Sequence, residues 1–147
     1  MSVPALERSY FDTNVFIYAL EGDPVFTQAA VALLEAAGGR AVTSEYAIAE
    51  CIIGKSETVD DILLQEDYVA YFADPDNIET VAVSRELLIH AARLARGLGM
   101  KLADSIHVAT AIASGCQSFV TNDRKLGLRL PESLRYVPLR ATPPAGS

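Results

Sequence analysis

Ser9-Tyr10-Phe11-Asp12-Thr13-Asn14-Val15-Phe16-Ile17 is the stretch on which the reading turns. A short apolar run ends on an acid, Asp12, and two further acids recur in similarly apolar settings, in Leu102-Ala103-Asp104-Ser105-Ile106 and in Phe119-Val120-Thr121-Asn122-Asp123. A carboxylate removed from water is costly unless a cation or hydrogen bonds compensate it. Acids repeated at strand and helix ends therefore point to one shared cation, and oxygen ligands suit a hard divalent metal such as Mg²⁺ or Mn²⁺.

Outward from this stretch, the pattern alternates strand and helix. Asp23-Pro24 predicts a helix start, followed by an apolar face of Val25, Phe26, Ala29, Ala30, Leu33, Leu34 and Ala37, with Gly38-Gly39 as the stop. A strand is expected over 40–43, then a helix through Glu50 and Cys51 that ends near Gly54. An acidic amphipathic helix follows over 57–73 and is broken by Asp74-Pro75-Asp76-Asn77. A strand over 78–83 leads to a helix capped by Ser84, whose face is Leu87, Leu88, Ala91, Leu94, Ala95 and Leu98 and whose end is marked by Gly97 and Gly99. The remaining expectations are a helix over 102–114, a strand over 118–121, a turn of helix over 123–128, a strand over 136–139 and a loose tail at 141–147, leaving 1–140 as one domain. Such alternation implies an α/β fold of three layers, with a mainly parallel sheet between helices. Ligands of such sheets bind beyond the carboxyl ends of the strands, where the strand order reverses. Asp12 and Asp123 both follow strands.

Half of the 147 residues are hydrophobic, enough for one sizeable core. No apolar run approaches the roughly 18 residues that cross a bilayer, and no basic stretch leads into an apolar segment at the N-terminus, so a cytoplasmic protein without a membrane role is expected. Cys51 and Cys116 lack a Cys-x-x-Cys partner spacing and read as small buried hydrophobes in a reducing compartment. The net charge of −7 argues at first against a nucleic-acid partner, but the average hides an asymmetry. Residues 1–80 carry 3 basic against 15 acidic side chains, whereas residues 81–147 carry 9 basic against 4 acidic, giving −12 and +5. That distribution suits a basic rim around an acidic metal pocket, an acidic surface that docks a basic partner, or plain solubility.

Phe11-Asp12-Thr13-Asn14-Val15, Ser44 to Glu50, Leu102-Ala103-Asp104-Ser105-Ile106 with Ala109-Thr110-Ala111, and Val120-Thr121-Asn122-Asp123 together resemble, in order and spacing, the four motifs of the PIN-domain nucleases, in particular the VapC-type toxins of toxin-antitoxin pairs. The resemblance covers nearly the whole chain. It implies a PIN-like fold, a catalytic and metal-binding quartet of Asp12, Glu50, Asp104 and Asp123, Mg²⁺ or Mn²⁺ as cofactor, and RNA hydrolysis leaving a 5′-phosphate and a 3′-hydroxyl. It further implies an antitoxin partner and a homodimer. Thr13, Asn14, Thr121 and Asn122 stand at matching positions and take supporting roles, bracing the first loop or orienting an acid or water.

Each position also has a purely structural reading. Asp12 and Asp123 are plausible helix caps, and Asp104 complements the positive end of its own helix. Glu50 is harder to explain that way among Ala47, Ile48, Ala49, Cys51, Ile52 and Ile53, and its rival Glu45 is expected to face solvent. Lys101, Arg124, Lys125 and Arg129 flank the acids and are candidates for RNA phosphates. His107 falls three residues after Asp104 on the same helical face, but a lone helical histidine more often serves packing, and it stays outside the catalytic set. Two other functions compete: a PIN nuclease of RNA processing or turnover with no antitoxin, and a non-catalytic acidic-pocket module such as a phospho-receiver domain.

Overall fold

The computed structural model describes residues 4–142. Five short strands form one sheet: β1 (Ser9–Phe11), β2 (Ala41–Ser44), β3 (Glu79–Val81), β4 (Ser118–Val120) and β5 (Arg135–Val137). Their order is β3-β2-β1-β4-β5, and every pairing is parallel. Among the described residues, seven α-helices connect them: α1 (Thr13–Glu21), α2 (Thr27–Ala37), α3 (Glu45–Ile53), α4 (Val59–Ala73), α5 (Arg85–Leu98), α6 (Leu102–Ala113) and α7 (Arg124–Gly127), with a turn of 3-10 helix at Gly38–Arg40.

The period-two alternation of strands sorts side chains into the two outer layers. Phe11, Ala41 and Val120 point to one face, where they pack with Val15, Phe16, Ala30, Leu33, Cys51, Tyr68 and Phe72 of α1 to α4. Tyr10, Val42 and Phe119 point to the other, against Leu94, Leu98, Val108 and Ala111 of α5 and α6. Burial on both faces explains why β1, β2 and β4 are buried at every position. The three-layer α/β/α architecture expected from the sequence is present, and both cysteines are buried and unpaired. Among the described residues, no helix is long and apolar enough to cross a membrane.

The order 3-2-1-4-5 reverses between β1 and β4, and their adjacent carboxyl ends open a crevice at that point. The register Phe11↔Val120 and the bond from Asp12 N to Val120 O at 2.9 Å bring Asp12 level with the end of β4. A receiver-type sheet runs 2-1-3-4-5, so this topology departs from that alternative.

Several boundaries differ from the sequence reading, most by one or two residues. The α2 helix begins at Thr27 rather than at Pro24, because Asp23 spends its side chain on a turn, accepting from Val25 N and Phe26 N at 2.8 and 2.9 Å. The Thr27 hydroxyl meanwhile donates back to Tyr18 O of α1 at 2.8 Å. The third strand is shorter than 78–83, and the last spans Arg135–Val137 rather than 136–139, since only three residues of each find partners on the neighbouring strand. Gly99, with φ of 65°, closes α5 in the left-handed conformation that its lack of a side chain permits. Of the tail expected at 141–147, residues 143–147 lie outside the described residues, as do 1–3 of the expected domain.

Candidate metal centre

Asp12 sits at the carboxyl end of β1 and is buried. It caps α1, its Oδ1 accepting from Thr13 N at 2.8 Å, and its Oδ2 accepts from the Thr121 hydroxyl at 2.7 Å and from Asn14 Nδ2 at 3.4 Å. The Thr121 hydroxyl oxygen, immediately after β4, also accepts from Asn14 Nδ2 at 3.3 Å and from Asp123 N at 3.0 Å. The first and last motifs are thereby stitched into one loop layer around Asp12. Asp123 is exposed and caps α7 through Leu126 N at 3.1 Å, so its structural reading and its place at the crevice both hold. Asn122 turns away: its amide donates to Tyr18 OH at 2.8 Å, and only its backbone N–H joins the layer, through Asn14 Oδ1 at 3.2 Å. The expected role of the Asn122 side chain in orienting an acid or water gives way to bracing α1.

Asp104 enters from the first turn of α6, half-buried. Burial raises its proton affinity above the ordinary carboxylate range, and the charges of Asp12 and Asp123 raise it further, against the opposing pull of His107 and Lys101. Asp104 and Asp123 line a cleft of about 280 Å³ together with Lys101, Lys125 and Arg129. Arg124 is exposed at the start of α7 and is not among the residues lining that cleft, because α7 turns it off the cleft side while Lys125 faces in. Arg129 is anchored by a bond from Nη1 to Gly99 O at 2.6 Å.

Glu50 arrives from α3, half-buried, while Glu45 at the start of that helix is exposed. The Oε1 of Glu50 accepts from the Thr13 hydroxyl at 2.6 Å and meets His107 Nε2 at 2.5 Å. Burial alone would raise the Glu50 proton affinity, but the bonds and charge of His107 and the Thr13 hydroxyl outweigh it and hold Glu50 below the usual range. His107 is 1% exposed, and its Nε2 also lies 3.7 Å from Asp12 Oδ1. Burial opposes its charge, yet the Glu50 bond with the nearby Asp12, Glu50 and Asp104 charges leaves its affinity for a proton raised. Set aside in the sequence reading as a packing residue, His107 in fact joins two of the four acids. The signal that could have shown this, its spacing from Asp104, fixes a helical face but not what the neighbouring elements bring to it.

The donor set is all oxygen, as Mg²⁺ and Mn²⁺ prefer, and the repulsion that Asp104 meets from Asp12 and Asp123 is the kind a cation relieves. Among the described residues, no three His, Cys, Asp or Glu side chains stand close enough to hold a metal ion by themselves. Mg²⁺ is commonly held by one or two carboxylates, with water and substrate phosphate completing its shell, and this arrangement suits that mode.

A family model described as PIN domain matches residues 9–128. No curated protein matches the sequence. Among solved structures, the chain is similar to a toxin-antitoxin complex from Klebsiella pneumoniae at 20% identity and a TM-score of 0.69, covering 86% of this chain and 94% of that one. It is similar to VapBC2 from Rickettsia felis bound to a DNA fragment from its promoter, at 20% identity, TM-score 0.69, and 89% and 98% coverage. DNA-bound VapBC from Salmonella typhimurium gives 18% identity, TM-score 0.67, and 90% and 98% coverage. At these identities the likeness concerns the fold.

Proposed function

The chain belongs to the PIN-domain family, and from that premise we propose that it is a Mg²⁺- or Mn²⁺-dependent endoribonuclease, the toxin of a toxin-antitoxin pair acting in the cytoplasm as a homodimer. What supports the reading is the placement of Asp104 and Asp123 in one cleft beside the carboxyl end of β4, with the charge of Asp12 near enough to act on Asp104. Asp104 and Asp123 share that cleft and Asp12 lies buried at the end of β1, and these acids have no structural need of one another.

In this reading Asp12, Glu50, Asp104 and Asp123 serve the cation, one or two of them directly and the others through water. When bound, the ion lowers the proton affinity of water and offsets the charge that builds on the phosphate. The chain's own groups do the rest. Thr13 N–H, Thr121 and Asn14 fix Asp12 so that it needs no rearrangement to bind. Lys101, Lys125 and Arg129 on the cleft wall meet phosphates of the RNA, and their positive charge offsets the acidic remainder of the chain. Arg124, on the outer side of α7, is left to contacts beyond the scissile position. A basic segment of an antitoxin would find the same acids attractive. The exposed apolar residues of α4, Val59, Ile62, Leu63 and Val69, set among Asp60, Glu66 and Asp67, offer it further surface. The solved structures that share this fold include toxin-antitoxin complexes, which supports the antitoxin arm of the proposal.

Cleavage of RNA by wild type and by Asp104→Asn in Mg²⁺, Mn²⁺ or EDTA tests it. Metal-dependent cutting with near-complete loss in the variant is expected; unchanged cutting by the variant would refute the site. Growth arrest on expression, relieved by co-expression of a neighbouring small basic-tailed protein, separates the toxin from a nuclease of RNA turnover.

A further inference from the structure

Glu50 is an acid whose useful direction is set by another side chain. Both of its hydrogen bonds, from the Thr13 hydroxyl and from His107, fall on Oε1 and leave Oε2 as the oxygen free for a cation or water. A carboxylate oxygen only accepts, so in the contact between Glu50 Oε1 and His107 the hydrogen belongs to Nε2. The other ring nitrogen is held as firmly: Nδ1 stands 2.5 Å from the Tyr10 hydroxyl, which itself accepts from Ser44 N at 3.1 Å. With Ser44 N–H filling one lone pair, the phenol donates to a bare Nδ1 or accepts from a protonated one, and Nε2 points its hydrogen at Glu50 in both cases.

We propose that His107 is the positioning residue of the metal centre, tying Glu50 of α3 to Tyr10 of β1 and to the Ser44 cap of α3, and standing between the Glu50 and Asp12 carboxylates. It is too buried to reach RNA and acts through Glu50. The rings of Tyr10 and Tyr46 flank it, each with its centroid 5.7 Å from that of His107. Any buried histidine needs partners at its ring nitrogens; what ties this one to the site is that one partner is Glu50 and that Nε2 also lies 3.7 Å from Asp12. The assignment rests on the cation-site reading above, in that Glu50 serves the ion.

Manganese binding to the RNA-free protein, followed by calorimetry with thermal melts in EDTA alongside, tests it. Glutamine places its amide N–H where Nε2 stands and asparagine places its amide near Nδ1, so the two substitutions separate the two hydrogen bonds. His107→Asn should weaken Mn²⁺ affinity about tenfold or more, the range seen when groups that orient metal ligands are removed, while His107→Gln stays near wild type. In a Glu50→Gln background, His107→Asn should cost no further affinity, because its effect runs through the carboxylate already removed. Wild-type affinity in His107→Asn, equal losses in the Asn and Gln variants, or a further loss in the double variant would overturn the assignment. If His107→Asn does not fold, Tyr10→Phe decides: release of Nδ1 should weaken Mn²⁺ several-fold, and unchanged affinity would overturn the proposal. A wild type that takes up no Mn²⁺ would instead remove the cation-site reading itself, and this proposal with it.

Discussion

Asp104→Asn should make the metal-free protein more stable while abolishing its response to metal. In the folded chain the Asp104 carboxylate is disfavoured by burial and by the charges of Asp12 and Asp123. Repulsion between unit charges about 4 Å apart amounts to about 1 kcal/mol in bulk water and about 4 kcal/mol near a protein surface. Asp104 is half-buried, so solvent screening holds the figure toward the lower end. Its place in the first turn of α6 returns about 0.3–1 kcal/mol through the helix dipole. The direction of the shift says that burial and repulsion win; a net effect of about 1 kcal/mol, the scale of one unit-charge repulsion in water, is about 4 °C in melting temperature for a chain of this length. The sign follows from linkage. A carboxyl whose folded proton affinity is raised gives relative stability at low pH that is lost as pH rises through the folded value. The variant's advantage should therefore be full at pH 7 and vanish below the ordinary aspartate value of about 4. Adding Mg²⁺ at about 100 times its dissociation constant should stabilise wild type by about 2.7 kcal/mol and reverse the order. Differential scanning fluorimetry across pH 3–8, with EDTA and with Mg²⁺, reads all three effects. A variant that melts below wild type in EDTA at pH 7, or that gains as much from Mg²⁺, would refute the argument.

Denaturant titration in EDTA should give the opposite sign for Asp12→Ala, which removes the α1 cap and the acceptor of the Thr121 hydroxyl and should cost about 2 kcal/mol. Glu45→Gln should keep RNA cleavage within error, while Glu50→Gln should lower it at least about tenfold; the reverse ranking would mean that the wrong glutamate borders the cation. Lys125→Ala combined with Arg129→Ala should weaken RNA binding and flatten its dependence on salt by roughly one unit of slope for each phosphate no longer neutralised, measured by fluorescence anisotropy over a salt series. Gly127→Ala should destabilise the fold by about 1–3 kcal/mol despite the better helix propensity of alanine, because the new Cβ would lie 2.5 Å from Tyr136 Cε1; an unchanged denaturant midpoint would show that the ring yields.

Much of this is legible in the chain. The switch from aromatic strand to capped helix at Asp12 and the apolar runs of β1, β2 and β4 are enough to imply a parallel sheet covered on both faces, with acids gathered at its carboxyl edge. The solvent-facing position of Glu45 follows from where α3 begins. What stays hidden depends on partners distant in sequence. His107 acquires its role from Glu50, 57 residues away, and from Tyr10, 97 residues away, and helical spacing carries no information about either. Asn122 departs from its expected role because Tyr18, one face of α1 away, competes for its amide, and Arg124 because one residue of rotation on α7 separates cleft from solvent. The start of α2 falls later than expected because an acid followed by proline caps a turn as well as a helix, and the tie between Thr27 and Tyr18 decides between them.

The central claim is that carboxylates from β1, α6 and the end of β4 serve one divalent cation. Crystals grown or soaked with Mn²⁺ and measured at a wavelength where manganese scatters anomalously test it directly. A difference peak about 2 Å from carboxylate oxygens of Asp12 and Asp104, with Asp123 bound directly or through water, is the expected result. Manganese density elsewhere on the molecule, with none between these acids, would contradict it.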